Sequence, residues 1–223
     1  FGWAATIVPH AGNRGVPYFV TSAAPVIAYT LYGTDPGLLP IGFGQPGDAL
    51  DTDGALPEWG WWQVDPDDLA RTDLSASARV LDATDPDLRR FFTRDRGKLL
   101  LYQGLADSII PPQPVIDYYD AVVKATFTNN SEEARRHMRL FLAPGMGHCR
   151  GGPGPDTVDW LSLLTAWVEK GDAPQRAIAT HLTAGALDNE RPLCPYPQRA
   201  VYVGPAGGAN DRINWRERNF DCR

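Results

Sequence analysis

No apolar run in this 223-residue chain approaches the length of a membrane span, so a transmembrane helix is not expected. No basic stripe is interleaved with aromatic residues, and the net charge is −6, which argues against nucleic-acid binding. There are no internal repeats. The first residues, Phe1-Gly2-Trp3, show neither an initiator Met nor a signal-peptide pattern. A mature start, a start made by proteolysis and a piece cut from a longer sequence all fit this. Cysteine is scarce and odd in number: Cys149, Cys194 and Cys222. None of the serines, Ser22, Ser75, Ser77, Ser108, Ser131 or Ser162, sits in a Gly-x-Ser-x-Gly pattern.

Hydrophobic content of 43% and charged content of 22% are those of an ordinary folded domain, not of a disordered chain. The chain is long enough for one domain, or for one domain and part of another. With 22 Gly and 20 Pro, many loops are expected. Seven Trp is high for this length; clustered Trp can line a pocket for a flat ligand, although core packing is their commoner use. Cys194 and Cys222 lie in Pro-rich, polar sequence with little core of its own, which a disulfide between them would tether. Cys149 is then either a free thiol or the partner of a cysteine elsewhere.

Residues 1–88 read as irregular cover sequence, dense in Gly, Pro and Asp between Gly33 and Gly54. Short helical pieces are expected around Pro25–Leu31 and Asp67–Ala70. The boundary is placed near Asp85–Phe92, with 89–223 as the second region. There the grammar changes. Lys98–Gly104 is a short continuous apolar run, suited to a strand buried on both faces of a parallel sheet. Val115, Tyr118, Tyr119 and Val122 follow helical spacing behind a cluster of prolines. Arg139–Ala143 is a second strand. Thr157–Lys170 is a helix whose apolar face is Val158, Leu161, Leu164, Trp167 and Val168, stopped by Gly171. Strand, loop, helix, strand, loop, helix is the order of an α/β fold with a parallel, doubly wound sheet.

In such sheets chemistry is carried on loops after the strands. Two qualify: Gly104–Pro112, which offers Asp107, and Pro144–Gly152, which offers His148. An acid followed by an imidazole on consecutive strand-to-helix connections is the chain order of an α/β-hydrolase triad, whose serine comes first. That serine is therefore expected before Phe1. His10, His137 and His181 lack catalytic or metal spacing and read as surface residues.

The segments KLLLYQGLADSIIPP (98–112) and RLFLAPGMGHCRGGPGP (139–155) resemble the aspartate and histidine segments of the tannase and feruloyl esterase family. The tail RPLCPYPQ (191–198), the final Asn219-Phe220-Asp221-Cys222 and, more weakly, Ala83–Leu88 are similar too. The resemblance is strong over 83–223 and loose over 1–82. It implies the C-terminal part of an α/β-hydrolase, residues 1–88 being the end of an inserted lid and its return to the core. It implies Asp107 as triad acid and His148 as triad base of a serine-type carboxylic ester hydrolase acting on esters of aromatic or phenolic acids. The family's pattern joins a cysteine just before the nucleophilic serine to the cysteine after the histidine, here Cys149, and joins Cys194 to Cys222 in the tail. The missing Cys-Ser segment would come from an N-terminal chain of the same precursor, and the protein would be secreted or periplasmic. No cofactor is implied for the chemistry. Structural calcium is expected in the lid portion outside this chain; Asp51-Thr52-Asp53-Gly54 resembles only a fragment of a calcium loop and reads as a turn. Trp59, Trp61 and Trp62 are candidate contacts for an aromatic acyl group. The alternative is a non-catalytic binding or assembly subunit that keeps the fold without the nucleophile.

Overall fold

In a computed structural model, the chain divides into two compact units, 1–84 and 85–223. The structure describes residues 82–223, together with Asp67 and Val80, each of which is helical and exposed. The remaining expectations for residues 1–81, including Trp59, Trp61, Trp62, the Asp51–Gly54 turn and the helix near Pro25–Leu31, lie outside the described residues.

The second unit opens with a π-helical turn, Arg90–Arg94, which buries Phe92. Strand β1 follows at Leu99–Gly104. Helix α1, Gln113–Phe127, starts behind Pro112 and ends at Thr128, whose left-handed φ of 54° lets its amide bond back to Val123 O. A short helix, α2 (Ser131–Arg135), is capped by the Asn130 side chain, which accepts from Glu133 N at 3.0 Å. Strand β2, Met138–Ala143, then pairs in parallel with β1, from Leu99↔Met138 to Gly104↔Ala143. This is one βαβ unit of an α/β-hydrolase-type fold.

The two faces of β2 serve two cores. Met138 and Leu140 pack with Phe92, Tyr119, Val122 and Val123 under α1. Phe141 and Ala143 pack with Met146, Ala177, Ala179 and Leu193 on the other side. The expectation of strands buried on both faces therefore holds for β2 but not for β1, which is only half-buried up to Gly104. Among the described residues β1 has a strand neighbour on one edge alone, and its Tyr102 is covered chiefly by stacking on Trp160, with ring centroids 4.7 Å apart.

Helix α3 spans Trp160–Lys170 rather than beginning at Thr157, because Asp159 caps it and Thr157 instead bridges to Thr180. Its buried face also differs from expectation. Leu161 and Val168 are 75% and 60% exposed, while Trp160, Leu163 and Trp167 turn inward. Apolar residues ring most of this helix, and the stripe carrying the two indoles has the larger area to bury.

The tail is more regular than its composition suggests. Strands β3 (Ala177–Thr183) and β4 (Ala186–Leu193) form an antiparallel hairpin, turned by Ala184 and Gly185, both at positive φ. Strands β5 (Ala200–Tyr202) and β6 (Phe220–Cys222) form a second antiparallel pair. Cys194 and Cys222 are disulfide-bonded with Cα atoms 5.5 Å apart, which fastens β6 to the end of the hairpin. Among the described residues, no helix is long and apolar enough to cross a membrane.

Candidate active site

Strands β1 and β2 end level with one another, so the loops after them leave the sheet side by side. Gly104 lets them touch: a Cβ there would lie 2.4 Å from both Met146 O and Gly147 O. Leu105 N donates to Ala143 O and Ala106 N to Met146 O, each at 3.0 Å. The loop carrying Asp107 is thus pinned by backbone bonds to the loop carrying His148.

The Asp107 carboxylate is buried, with a side-chain exposure of 2%, and is fully engaged. Its Oδ1 accepts from Ile109 N at 2.8 Å and Ile110 N at 2.9 Å. Its Oδ2 accepts from His148 Nδ1 at 2.9 Å and from Gln103 Nε2 at 3.1 Å. Burial pushes the carboxyl pKa up, but the Ile110 amide, His148, the Ile109 amide and Gln103 together outweigh it and hold the group below its ordinary value. Asp107 is therefore a carboxylate at neutral pH. A carboxylate accepts, so His148 Nδ1 carries a proton, and in the neutral ring Nε2 is then the acceptor nitrogen. The imidazole side chain is 40% exposed, so it is open to a further partner.

The His148 loop owes its shape to glycines and internal bonds. Gly147 N donates to Gly151 O at 2.8 Å, Gly154 N to Gly145 O at 3.0 Å, and Gly151 N to the Asp156 carboxylate at 2.6 Å. At Gly152, with φ of +93°, a Cβ would fall 2.2 Å from Gly145 O. Next to His148, Cys149 is exposed and unbonded, and its φ is 61°. A non-glycine residue in the left-handed region costs about 1–2 kcal/mol, so the surrounding loop imposes this conformation.

The structure brings Asp107, His148 and Cys149 to one place, and leaves Cys194 and Cys222 in the tail. Gln103 was not singled out by sequence reasoning; its place in the last turn of a strand, four residues before the acid, was the available signal. Two histidines read as surface residues are part-buried instead. His137 meets Glu133 at 3.2 Å and stacks on Phe127, and His181 Nδ1 meets Asp188 Oδ1 at 2.7 Å. Among the described residues, no group of three or more His, Cys, Asp or Glu could hold a metal ion.

A buried carboxylate and an open imidazole thus lie on adjacent strand ends of an α/β fold. The family model for tannase and feruloyl esterase matches residues 61–214, and the chain belongs to that family. It is 44% identical over 144 residues to a mono(2-hydroxyethyl) terephthalate hydrolase from Piscinibacter sakaiensis, covering 63% of this chain and 22% of that protein. It is 37% identical over 166 residues to an uncharacterized esterase from Xanthomonas campestris pv. campestris, covering 62% of this chain and 28% of that protein. The crystal structure of feruloyl esterase B from Aspergillus oryzae superposes with a TM-score of 0.62 at 26% identity, covering 75% of this chain and 34% of that one. The chain thus spans about a fifth to a third of the length of these proteins.

Proposed function

We propose that the protein carrying this chain is a serine-type carboxylic ester hydrolase acting on esters of aromatic or phenolic acids, with Asp107 as acid and His148 as base. The observation that supports it most is the bond from His148 Nδ1 to the buried Asp107 carboxylate, which in the neutral imidazole puts the lone pair on Nε2. A serine supplied by a preceding segment or partner chain attacks the ester carbonyl while His148 Nε2 takes its proton. His148 then protonates the leaving alcohol, and water repeats the two steps on the acyl-enzyme. The imidazolium formed in each step is stabilised by Asp107. The proposal includes a disulfide from exposed Cys149 to a cysteine beside that serine, a secreted or periplasmic location, and structural calcium in the lid. The similarity to a mono(2-hydroxyethyl) terephthalate hydrolase and a feruloyl esterase supports an aromatic acyl group.

The test is hydrolysis of phenolic-acid esters by the intact protein and by His148→Ala. Activity is expected in the first and not in the second. An intact protein that binds such esters without cleaving them supports the alternative, a binding subunit that kept the fold. Near-normal turnover by His148→Ala would mean that the base lies elsewhere.

A further inference from the structure

A second polar site lies at the other end of β2. Arg139 is the second residue of that strand and Ala143 its last, so roughly 13 Å of strand separates Arg139 from the start of the His148 loop. There, Arg135, Arg139, Gln175, Tyr196, Pro197 and Gln198 line a cavity of about 280 Å³.

The charge balance of this cavity is unusual. Arg139 is only 6% exposed, yet its bonding partners are neutral: Nε donates to Pro174 O at 3.3 Å, Nη1 donates to Arg135 O, and the guanidinium lies 5.5 Å from the centre of the Trp167 ring. No carboxylate figures among the groups that act on its pKa; burial and the Arg135 charge lower it, and Tyr119 raises it. Arg135 has no ion pair among the described residues either. The nearby acids are committed elsewhere: Glu132 and Glu133 pair with Arg136, and Glu133 also with His137. Asp120 accepts from Tyr196 Oη at 3.4 Å, on the hydroxyl side of the tyrosine that lines the cavity. Two guanidinium groups with no counter-charge are thus held at one cavity in a protein whose net charge is −6. A buried charge without a counter-charge is costly, and a bound anion removes that cost.

The walls narrow the anion's chemistry. Tyr196 and Pro197 bring ring carbon to the lining, Gln198 and Gln175 bring neutral amides, that of Gln175 also donating to Ala173 O at 3.2 Å, and the guanidinium fork matches a carboxylate in plane. The volume falls just under the ~300 Å³ at which drug-sized pockets begin, which suits a single ring. We propose that this cavity binds a small carboxylate with a flat apolar body, an aromatic acid, through Arg135 and Arg139. The inference goes beyond the proposed hydrolysis and does not depend on it.

Calorimetric titration of the intact protein with benzoate tests it, with benzamide and inorganic phosphate as comparators. Saturable benzoate binding is expected, with benzamide and phosphate each weaker by about tenfold or more, since each lacks either the charge or the flat body. Arg135→Gln is expected to weaken benzoate binding by at least about tenfold. Arg135 is half-buried and its replacement should leave the fold intact, whereas Arg139→Gln, a change in the core, serves only as a second variant if its melting temperature is retained. Absence of saturation, binding unchanged in Arg135→Gln, or phosphate binding as tightly as benzoate would each overturn the proposal.

Discussion

Two His–Asp pairs occur in the described part of this molecule, and they differ in everything except distance. His148 and Asp107 meet at 2.9 Å across 41 residues of sequence; His181 and Asp188 meet at 2.7 Å across seven. The first pair joins two loops at the ends of parallel strands, the second joins facing strands of one hairpin. Asp107 is buried and takes two backbone amides besides His148, while the Asp188 side chain is 30% exposed and takes Thr183 and Asn189 side chains. Exposure of the imidazoles runs the other way: 40% for His148, 18% for His181. A base must be oriented from behind and open in front, and only the first pair is. The second is closed around its own strands, as expected of a pair that fastens a hairpin.

The largest expected effect breaks the first pair. His148→Ala should lower kcat for a phenolic ester by about 10⁴-fold or more with the fold retained, because proton transfer and nucleophile activation are lost together. Asp107→Asn should cost about 10³–10⁴-fold, since an amide nitrogen facing Nδ1 favours the wrong tautomer. Steady-state assays alongside circular dichroism check both, and full activity in either variant would contradict the assignment. Next comes the tail: Cys194→Ser should destabilise by about 3–4 kcal/mol, because the bridge closes a loop with a sequence separation of 28. Denaturant titration reads this, and an unchanged midpoint would show the tail to be held without the bridge.

A smaller effect tests the first pair by pH. Asp107 has its pKa lowered in the folded protein, so its contribution to stability is present above the ordinary carboxylate value and is lost as pH falls below that value through the lowered one. Thermal melts across the acid range should show a shallower slope in Asp107→Asn than in the parent; identical slopes would mean that the carboxylate is not held ionised by its donors. The smallest change is His181→Ala, which should lower the melting temperature slightly and leave kcat/KM within about twofold. A larger fall in activity would give the second pair a role in the chemistry.

How much of this was legible in the sequence depended on contact range. β1, α1 and β2 were marked by apolar runs and by 3.6-residue spacing, and the Asp107 and His148 loops by their position after the strands. The α3 face was misread because Leu161 and Val168 share helical spacing with inward residues, and spacing alone does not rank Leu against Trp. The hairpin of β3 and β4 went unseen because β4 holds Asp188, Asn189, Glu190, Arg191 and Pro192 in one strand. Its backbone bonds run across the hairpin and to the tail, as where Glu190 N donates to Trp215 O at 3.0 Å. Likewise Gln103, and the partners of His137 and His181, are matters of tertiary contact that no local pattern announces.

The level ends of β1 and β2 bear on how this protein can change over time. Because Gly104 lies opposite Ala143, and backbone bonds lock the two loops at that point, the spacing of Asp107 and His148 is set at the rim of the sheet. The stretch from Gln113 to His137 lies outside that lock: it departs from the rim and returns at the far end of the sheet. Insertions or deletions near Thr128–Asn130, between α1 and α2, would alter the route without altering the meeting point. The helices can therefore drift in length and sequence among descendants while the imidazole keeps its carboxylate, and Gly104, which has no side chain to vary, is where such drift must stop.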